Sequence, residues 1–253
     1  MKYDFAIIGS GIIGLTLAFK LKQEFNNSNI IIFEKEPNSI SHGSGRNSGV
    51  LHSGIYYEPG SLRANLCVKG VKELKEYIIS ENLWINECGK LLLPTSEYSY
   101  SNLENLFDRA KKNGVEINKI KNDEIKRIEP NTNCQFEYGL HVPFTSVADP
   151  KEVSKSLIEN LRKMNVEINY NSKILKINEQ KLFTKNDTIE AGHIFNCAGL
   201  FADEIAKNSN LEFRYSFLPF KGKYWKIKNK NFKLNHLVYP IPDLRYPFLG
   251  LHS

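Results

Sequence analysis

The chain has 253 residues, with 34 Lys+Arg against 28 Asp+Glu and a net charge of +6. At 41% hydrophobic and 25% charged it falls in the globular range, which excludes disordered, collagen-like and coiled-coil classes. Acidic and basic residues alternate, as at Lys72-Glu73-Leu74-Lys75-Glu76, so the mild basic excess reads as a solvated surface and argues against nucleic acid as a partner. Cys67, Cys88, Cys134 and Cys197 are far apart with no C-x-x-C, so neither a metal site nor a disulfide framework is expected, and a reducing compartment is. The uncharged run Phe5 to Phe19 is too short for a membrane span, carries Gly9, Ser10, Gly11 and Gly14 at its middle, and leads into no cleavage pattern. A soluble, cytoplasmic chain is expected, with a peripheral contact at the inner face of the membrane left open.

Tyr3 to Ile8 reads as a buried strand ending at Gly9. Ile12 to Gln23 has apolar residues at helical spacing, Asn26 to Asn29 is a turn, and Ile30 to Glu34 is a second buried strand. Strand, glycine turn, helix and parallel strand in this order make one βαβ unit. Pro37 to Gly60 is a loop rich in Ser, Gly, His and Asn. Helices follow at Leu62 to Ser80 and Glu97 to Asn113, with a strand at Glu87 to Leu93 and irregular or strand-like chain at Leu140 to Val147. Asp149 suits an N-cap and Pro150 the first helical position of a helix running through Met164. Short strands with hairpin turns are expected at Glu167 to Tyr170, Ile174 to Ile177, Lys181 to Thr184 and Thr188 to Glu190. His193 to Cys197 is a further strand before a helix at Phe201 to Lys207, and the tail from Tyr215 reads as strands.

Gly9-Ser10-Gly11-Ile12-Ile13-Gly14 matches G-x-G-x-x-G, follows a strand, opens a helix and has Glu34 twenty positions after Gly14. In that context Gly9 allows the tight turn, Gly11 lets backbone approach a pyrophosphate, and Gly14 lets the helix pack on the strand. The helix N-terminus favours the phosphates, and Glu34 accepts from the adenosine ribose. The motif alone does not separate FAD from NAD. The loop Ser41 to Gly49, with Ser44, Arg46, Asn47 and Ser48, is placed to wrap a pyrophosphate; the plain alternative is a flexible surface loop. Asn196-Cys197-Ala198-Gly199 is a second strand-to-glycine turn, its glycine beside the cofactor or simply packing sheet on helix. Lys35 and Ile174 complete the expected cofactor-binding set.

Asn47 to Ala64, with His52-Ser53-Gly54-Ile55-Tyr56-Tyr57-Glu58-Pro59-Gly60 at its centre, resembles the signature of L-2-hydroxyglutarate oxidases and dehydrogenases, which are FAD enzymes of the D-amino-acid-oxidase-like superfamily. Cys88-Gly89-Lys90, Pro219 to Tyr224, Tyr239 to Asp243 and Pro247 to His252 resemble the same family in the same order. The resemblance implies an α/β fold: a Rossmann-like FAD domain over 1–75 and 146–212, and a discontinuous, incomplete α+β substrate domain over 76–145 and 213–253. It implies oxidation of a 2-hydroxy dicarboxylate, L-2-hydroxyglutarate, to 2-oxoglutarate, with electrons passing to oxygen or a membrane quinone. Family members continue beyond Leu249-Gly250-Leu251-His252-Ser253, so the expectation is an N-terminal portion, with a separately encoded C-terminal segment as a candidate partner. Another hydroxy acid, a glycerol phosphate or an amine as substrate keeps the fold, and a non-catalytic FAD-binding fragment is a further alternative.

A neutral histidine suits removal of a hydroxyl proton, which points to His52 as base or flavin contact; the alternative is that it hydrogen-bonds backbone beneath the cofactor. Substrate carboxylates need cations, and Arg63, Lys221 and Arg245 are candidates that could equally be surface charges. Tyr57 is a candidate pocket residue with Tyr56 and Tyr224, or core packing, and His252 lies on a strand that the family fold aims at the flavin. His42, His141, His193 and His236 form no constellation.

Overall fold

The computed structural model describes residues 3–211, 215–225, 227–229 and 231–242. In chain order come β1 (Tyr3–Ile8), α1 (Ile12–Glu24), β2 (Ile30–Phe33), β3 (Val50–Leu51), α2 (Leu62–Ser80), β4 (Ile85–Asn86) and β5 (Lys90–Leu93). Next are α3 (Glu97–Ser101), α4 (Leu103–Lys112), β6 (Asn118–Lys121), α5 (Asn122–Ile128), β7 (Tyr138–Val142), β8 (Ser146–Ala148) and α6 (Pro150–Lys163). The described chain closes with β9 (Glu167–Asn169), β10 (Lys176–Asn178), β11 (Lys181–Phe183), β12 (Thr188–Asn196), α7 (Ala202–Asn208) and β13 (Leu237–Pro240).

These elements divide into two compact units, Met1–Asn47 with Pro150–Lys223, and Ser48–Asp149 with Tyr224–Ser253. The divisions fall at 47/48, 149/150 and 223/224 instead of the expected 75/76, 145/146 and 212/213. The largest difference has a structural reason. β3 pairs antiparallel with β8, which also pairs with β4, so 50–51 are tied to a three-stranded sheet of the second unit.

The first unit is an α/β sheet in the order β10-β11-β12-β1-β2-β9. Its four strands β12, β1, β2 and β9 run parallel, with Ile7 level with Ile32 on one side and Phe195 on the other. All four residues of β2 are buried, as expected for a strand covered on both faces. α1 packs beside α6, while Ala6, Ile8, Ile31, Phe33, Ile174, Leu182 and Ile205 form a core on the α7 side. The expected separate strands at 188–190 and 193–197 are one nine-residue strand, β12. Its first part pairs antiparallel with β11 and its remainder parallel with β1. Ile174 precedes β10 instead of opening it.

In the second unit the main sheet has the order β13-β5-β7-β6, with β5 fully buried near its centre. Alternation along β5 puts Leu92 in a core with Ile55, Leu103, Leu106, Leu140 and Tyr239, and Leu91 and Leu93 in another with Ile120 and Ile125. The expected single helix over 97–113 is two, joined at Asn102, which serves as C-cap of one and N-cap of the other. β6 and α5 were not anticipated. Among the described residues after Tyr215 the only strand is β13, so the expected run of strands there is not found.

Candidate active site and cofactor cavity

A cavity of about 290 Å³ opens in the first unit at the C-terminal ends of β12, β1 and β2. Ligands of doubly wound sheets bind at this end of the strands. Of the expected cofactor residues, Gly9, Gly11, Glu34, Lys35, Ser44, Ile174, Ala198 and Gly199 line it. They come from five separate stretches of chain, which only the sheet order brings together.

The glycines are required by contact. Gly9 has φ +103°, and a Cβ there would lie 2.6 Å from the Cys197 carbonyl oxygen. A Cβ on Gly14 would lie 2.0 Å from the Gly9 carbonyl oxygen, so this residue sets how closely α1 approaches the β1 turn without itself lining the cavity. α1 begins without an acidic residue in its first turn and without a capping side chain on Gly11. Instead the Ser44 hydroxyl, from the distant loop, accepts from Ile12 N at 3.0 Å. The helix start therefore presents donors to an oxygen acceptor from outside the helix, which suits a phosphate.

Glu34 is 7% exposed at the end of β2. Its Oε2 accepts from Ser10 N (2.9 Å) and Ser10 Oγ (2.8 Å), and its Oε1 from Glu36 N (3.0 Å). These bonds hold the carboxylate in one orientation at the cavity wall. Beside it the Lys35 ammonium pairs with Glu36 and lies 4.3 Å from the centre of the Phe201 ring. Hydrogen bonds from Lys35 and His42 hold the Glu36 carboxyl below its ordinary pKa. His42, which forms no constellation in the sequence, lines the cavity with its ring 5.6 Å from that of Phe201. No local pattern marks it, since its neighbours come from residue 36 and from residue 201.

Arg46, Asn47 and Ser48 are exposed and do not line this cavity. The Asn47 amide turns back to donate to the carbonyls of Gly43 and Ser44, closing the loop on itself. The glycines, Glu34 and the strand-end cavity fit an adenine dinucleotide, whose ribose needs an acceptor and whose phosphates need a helix start.

In the second unit His52 follows β3 and is half-buried, its carbonyl accepting from Cys67 Sγ of α2 at 2.9 Å. Its ring stands edge-on to Tyr239 at 6.4 Å. The carbonyls of Gly54 and Tyr57 accept from the Asn113 amide at 3.0 Å each, and Arg109 of α4 donates to Tyr56 O at 3.1 Å. This pins the loop carrying His52, Tyr56 and Tyr57. Arg63 is exposed in the first turn of α2, and Lys221 is exposed in irregular chain of the first unit. Arg245 and His252 lie outside the described residues. A group that sequence reasoning gave no role is Lys90, fully buried on β5. In the sequence it stands in Cys88-Gly89-Lys90, a segment that carries the family resemblance, and opens the apolar run Leu91-Leu92-Leu93.

Comparison with known proteins agrees with this geometry. A family model described as FAD dependent oxidoreductase matches residues 4–253. L-2-hydroxyglutarate dehydrogenase of Indibacter alkaliphilus is 34% identical over 259 residues, covering 100% of this chain and 64% of that protein. The Escherichia coli enzyme of the same name is 34% identical over 256 residues, covering 99% of this chain and 60% of its own length. The chain therefore spans about three fifths of these relatives. Among solved structures, L-alpha-glycerophosphate oxidase of Mycoplasma pneumoniae, determined with FAD bound, superposes with a TM-score of 0.80 at 23% identity, covering 95% of this chain and 65% of that one. L-proline dehydrogenase of P. horikoshii also gives 0.80, at 17% identity, covering 94% and 64%. Among the described residues no helix is long and apolar enough to cross a membrane.

Proposed function

The chain belongs to the FAD dependent oxidoreductase family, and on that premise we propose that it carries the cofactor-binding part, and some of the substrate-binding part, of an enzyme that oxidises L-2-hydroxyglutarate to 2-oxoglutarate. The observation that carries this reading is identity of about one third along the whole chain to proteins named for that substrate. In it the first unit binds FAD and the second contributes substrate contacts. Electrons leave to oxygen or to a membrane quinone, the latter with the protein in the cytoplasm against the inner face of the membrane.

Oxidation of a 2-hydroxy acid removes a hydride from C2 and a proton from the hydroxyl, and bound FAD supplies the hydride acceptor. Gly9, Gly11 and the start of α1 receive the phosphates, Glu34 the ribose, and Lys35, Ile174, Ala198 and Gly199 enclose the adenosine end. Arg46, Asn47 and Ser48 extend the loop along the cofactor. His52 takes the hydroxyl proton, as a group whose ordinary pKa lies close to neutral. Arg63 and Tyr57 are its nearest candidates in sequence for a substrate carboxylate, with Lys221, Arg245 and His252 as the remaining ones.

The test is turnover of L-2-hydroxyglutarate, with a dye acceptor, by an FAD-loaded protein assembled from this chain and the remaining C-terminal portion of a relative, against the D enantiomer, glycerol 3-phosphate and sarcosine. L-2-hydroxyglutarate should be preferred, and His52→Ala should retain FAD while losing roughly 10²- to 10⁴-fold in rate. Preference for any of the other three would overturn the substrate assignment, and full turnover in His52→Ala would remove it as the base.

A further inference from the structure

Lys90 opens β5, between Val142 of β7 and Leu237 of β13, and its side chain is sealed from solvent. Among the described residues its Nζ has no hydrogen-bond partner. The groups around it are aromatic and neutral, with the Tyr56 ring centre at 5.0 Å and that of Tyr239 at 5.4 Å. The Tyr56 hydroxyl is likewise buried without a partner, as is Ser53 Oγ in the same loop. Ring faces attract an ammonium but accept none of its three N–H bonds as a carboxylate would. Buried donors left unmatched are rare in folded proteins and ask what matches them.

We propose that Lys90, with the Tyr56 ring beside it, is a binding site for a carboxylate of the substrate, the second unit's own anion anchor. Among the described residues the groups that bear on Lys90 are the neutral Tyr56, Tyr239 and Cys67, with no acidic side chain, which selects a carboxylate over a cation or a neutral group. His52, Ser53, Tyr56 and Cys67 are half-buried, so a ligand reaching Lys90 displaces side chains of one loop and one helix face, among them Tyr56, which packs against the Leu92 layer. The anchor and His52 share a neighbour, Tyr239, whose ring centre lies 5.4 Å from Lys90 Nζ and 6.4 Å from the His52 ring centre.

Burial holds Lys90 down to about 8. Burial pushes Tyr56 and Tyr239 up, and it also raises Cys67, so all three facing groups stay neutral where Lys90 is charged. Carboxylate binding is then strongest below about pH 8 and weakens as Lys90 loses its proton. The inference takes from the proposed function only the identity of the ligand.

The experiment titrates glutarate, an unreactive dicarboxylate, into the full chain with FAD added, by calorimetry at pH 7 and pH 9.5. Lys90→Met should weaken glutarate by about 10- to 100-fold at pH 7, the range for losing one charged hydrogen bond, and should abolish the pH dependence. A second measurement needs no variant. The 15N signal of Lys90 Nζ in the unmodified chain should titrate at higher pH with glutarate present than without. Unchanged affinity in a folded Lys90→Met, an unmoved Lys90 titration, or no glutarate binding by the parent chain would each overturn the anchor. Lys90-dependent glutarate binding together with a preference of the assembled protein for glycerol 3-phosphate or sarcosine over L-2-hydroxyglutarate would overturn the substrate assignment alone.

Discussion

Glu34 and Lys90 stand at opposite ends of buried strands in different units, and both are almost wholly withdrawn from water. Their surroundings differ in kind. Glu34 accepts three hydrogen bonds from Ser10 and Glu36, while Lys90 Nζ faces the Tyr56 and Tyr239 rings and the Cys67 thiol, with no hydrogen-bond partner among the described residues. Glu129, buried in the same unit as Lys90, accepts backbone N–H groups from Asn235 and His236 at Oε2, while its Oε1 has no partner among the described residues. A carboxylate held by three donors is a wall already set for its ligand. An ammonium without an acceptor is a site whose partner arrives from elsewhere, and the chain carries its desolvation until then.

Three experiments break or sharpen this contrast. The largest effect should come from the frame around Glu34: in Gly14→Ala the new methyl meets the Gly9 carbonyl, so the variant should lose about 3 kcal/mol or more by urea unfolding. A variant as stable as its parent would mean that α1 can move off the turn without cost. The second concerns Lys90, whose pKa is lowered on folding from the model-peptide value of 10.5 to about 8. The unfolded state binds more protons between these values, so stability should rise with pH across that window and be lowest below it. The shift corresponds to on the order of 3 kcal/mol at most. Lys90→Met should be more stable than the parent at pH 7 and should flatten the rise, measured as the difference between the two urea curves from pH 7 to 10.5. A parallel pair of curves would mean that Lys90 is satisfied in solution. The smallest is at Glu34 itself. Glu34→Ala should weaken FAD by about 10- to 100-fold in a fluorescence titration, the worth of one charged hydrogen bond, and unchanged affinity would leave the carboxylate with Ser10 alone.

The sequence made the first half of this contrast readable and hid the second. Gly9, Gly11, Gly14 and Glu34 are read from spacing because a close backbone approach permits only glycine, and a ribose contact at a strand end demands an acceptor at a set distance. Lys90 belongs to Cys88-Gly89-Lys90, which carries the resemblance, but nothing local shows that its side chain is buried: it stands in the strand read over Glu87 to Leu93, and pairing with β7 and β13 on either side encloses it. The same limit split β12 in two. Ala191-Gly192 interrupts the apolar pattern, but a Cβ on Gly192 would lie 3.0 Å from the Asp4 carbonyl oxygen, so the glycine marks where β1 passes close and not where the strand ends. His42 was missed because its neighbour Phe201 lies far along the chain.

The pairing of β1 with β12 joins Ile8 to Asn196, about 190 residues later. At ribosomal rates of 5–20 residues per second, roughly 10–40 s pass between synthesis of the two strands. Throughout that interval β1 has one open edge, and the Cys197 carbonyl against which Gly9 closes does not yet exist. All of 48–149, much of the second unit, emerges in the meantime. The glycine turn is therefore among the first segments made and among the last to gain its binding shape, so the cofactor cannot guide early folding of this chain and must arrive at a nearly finished sheet.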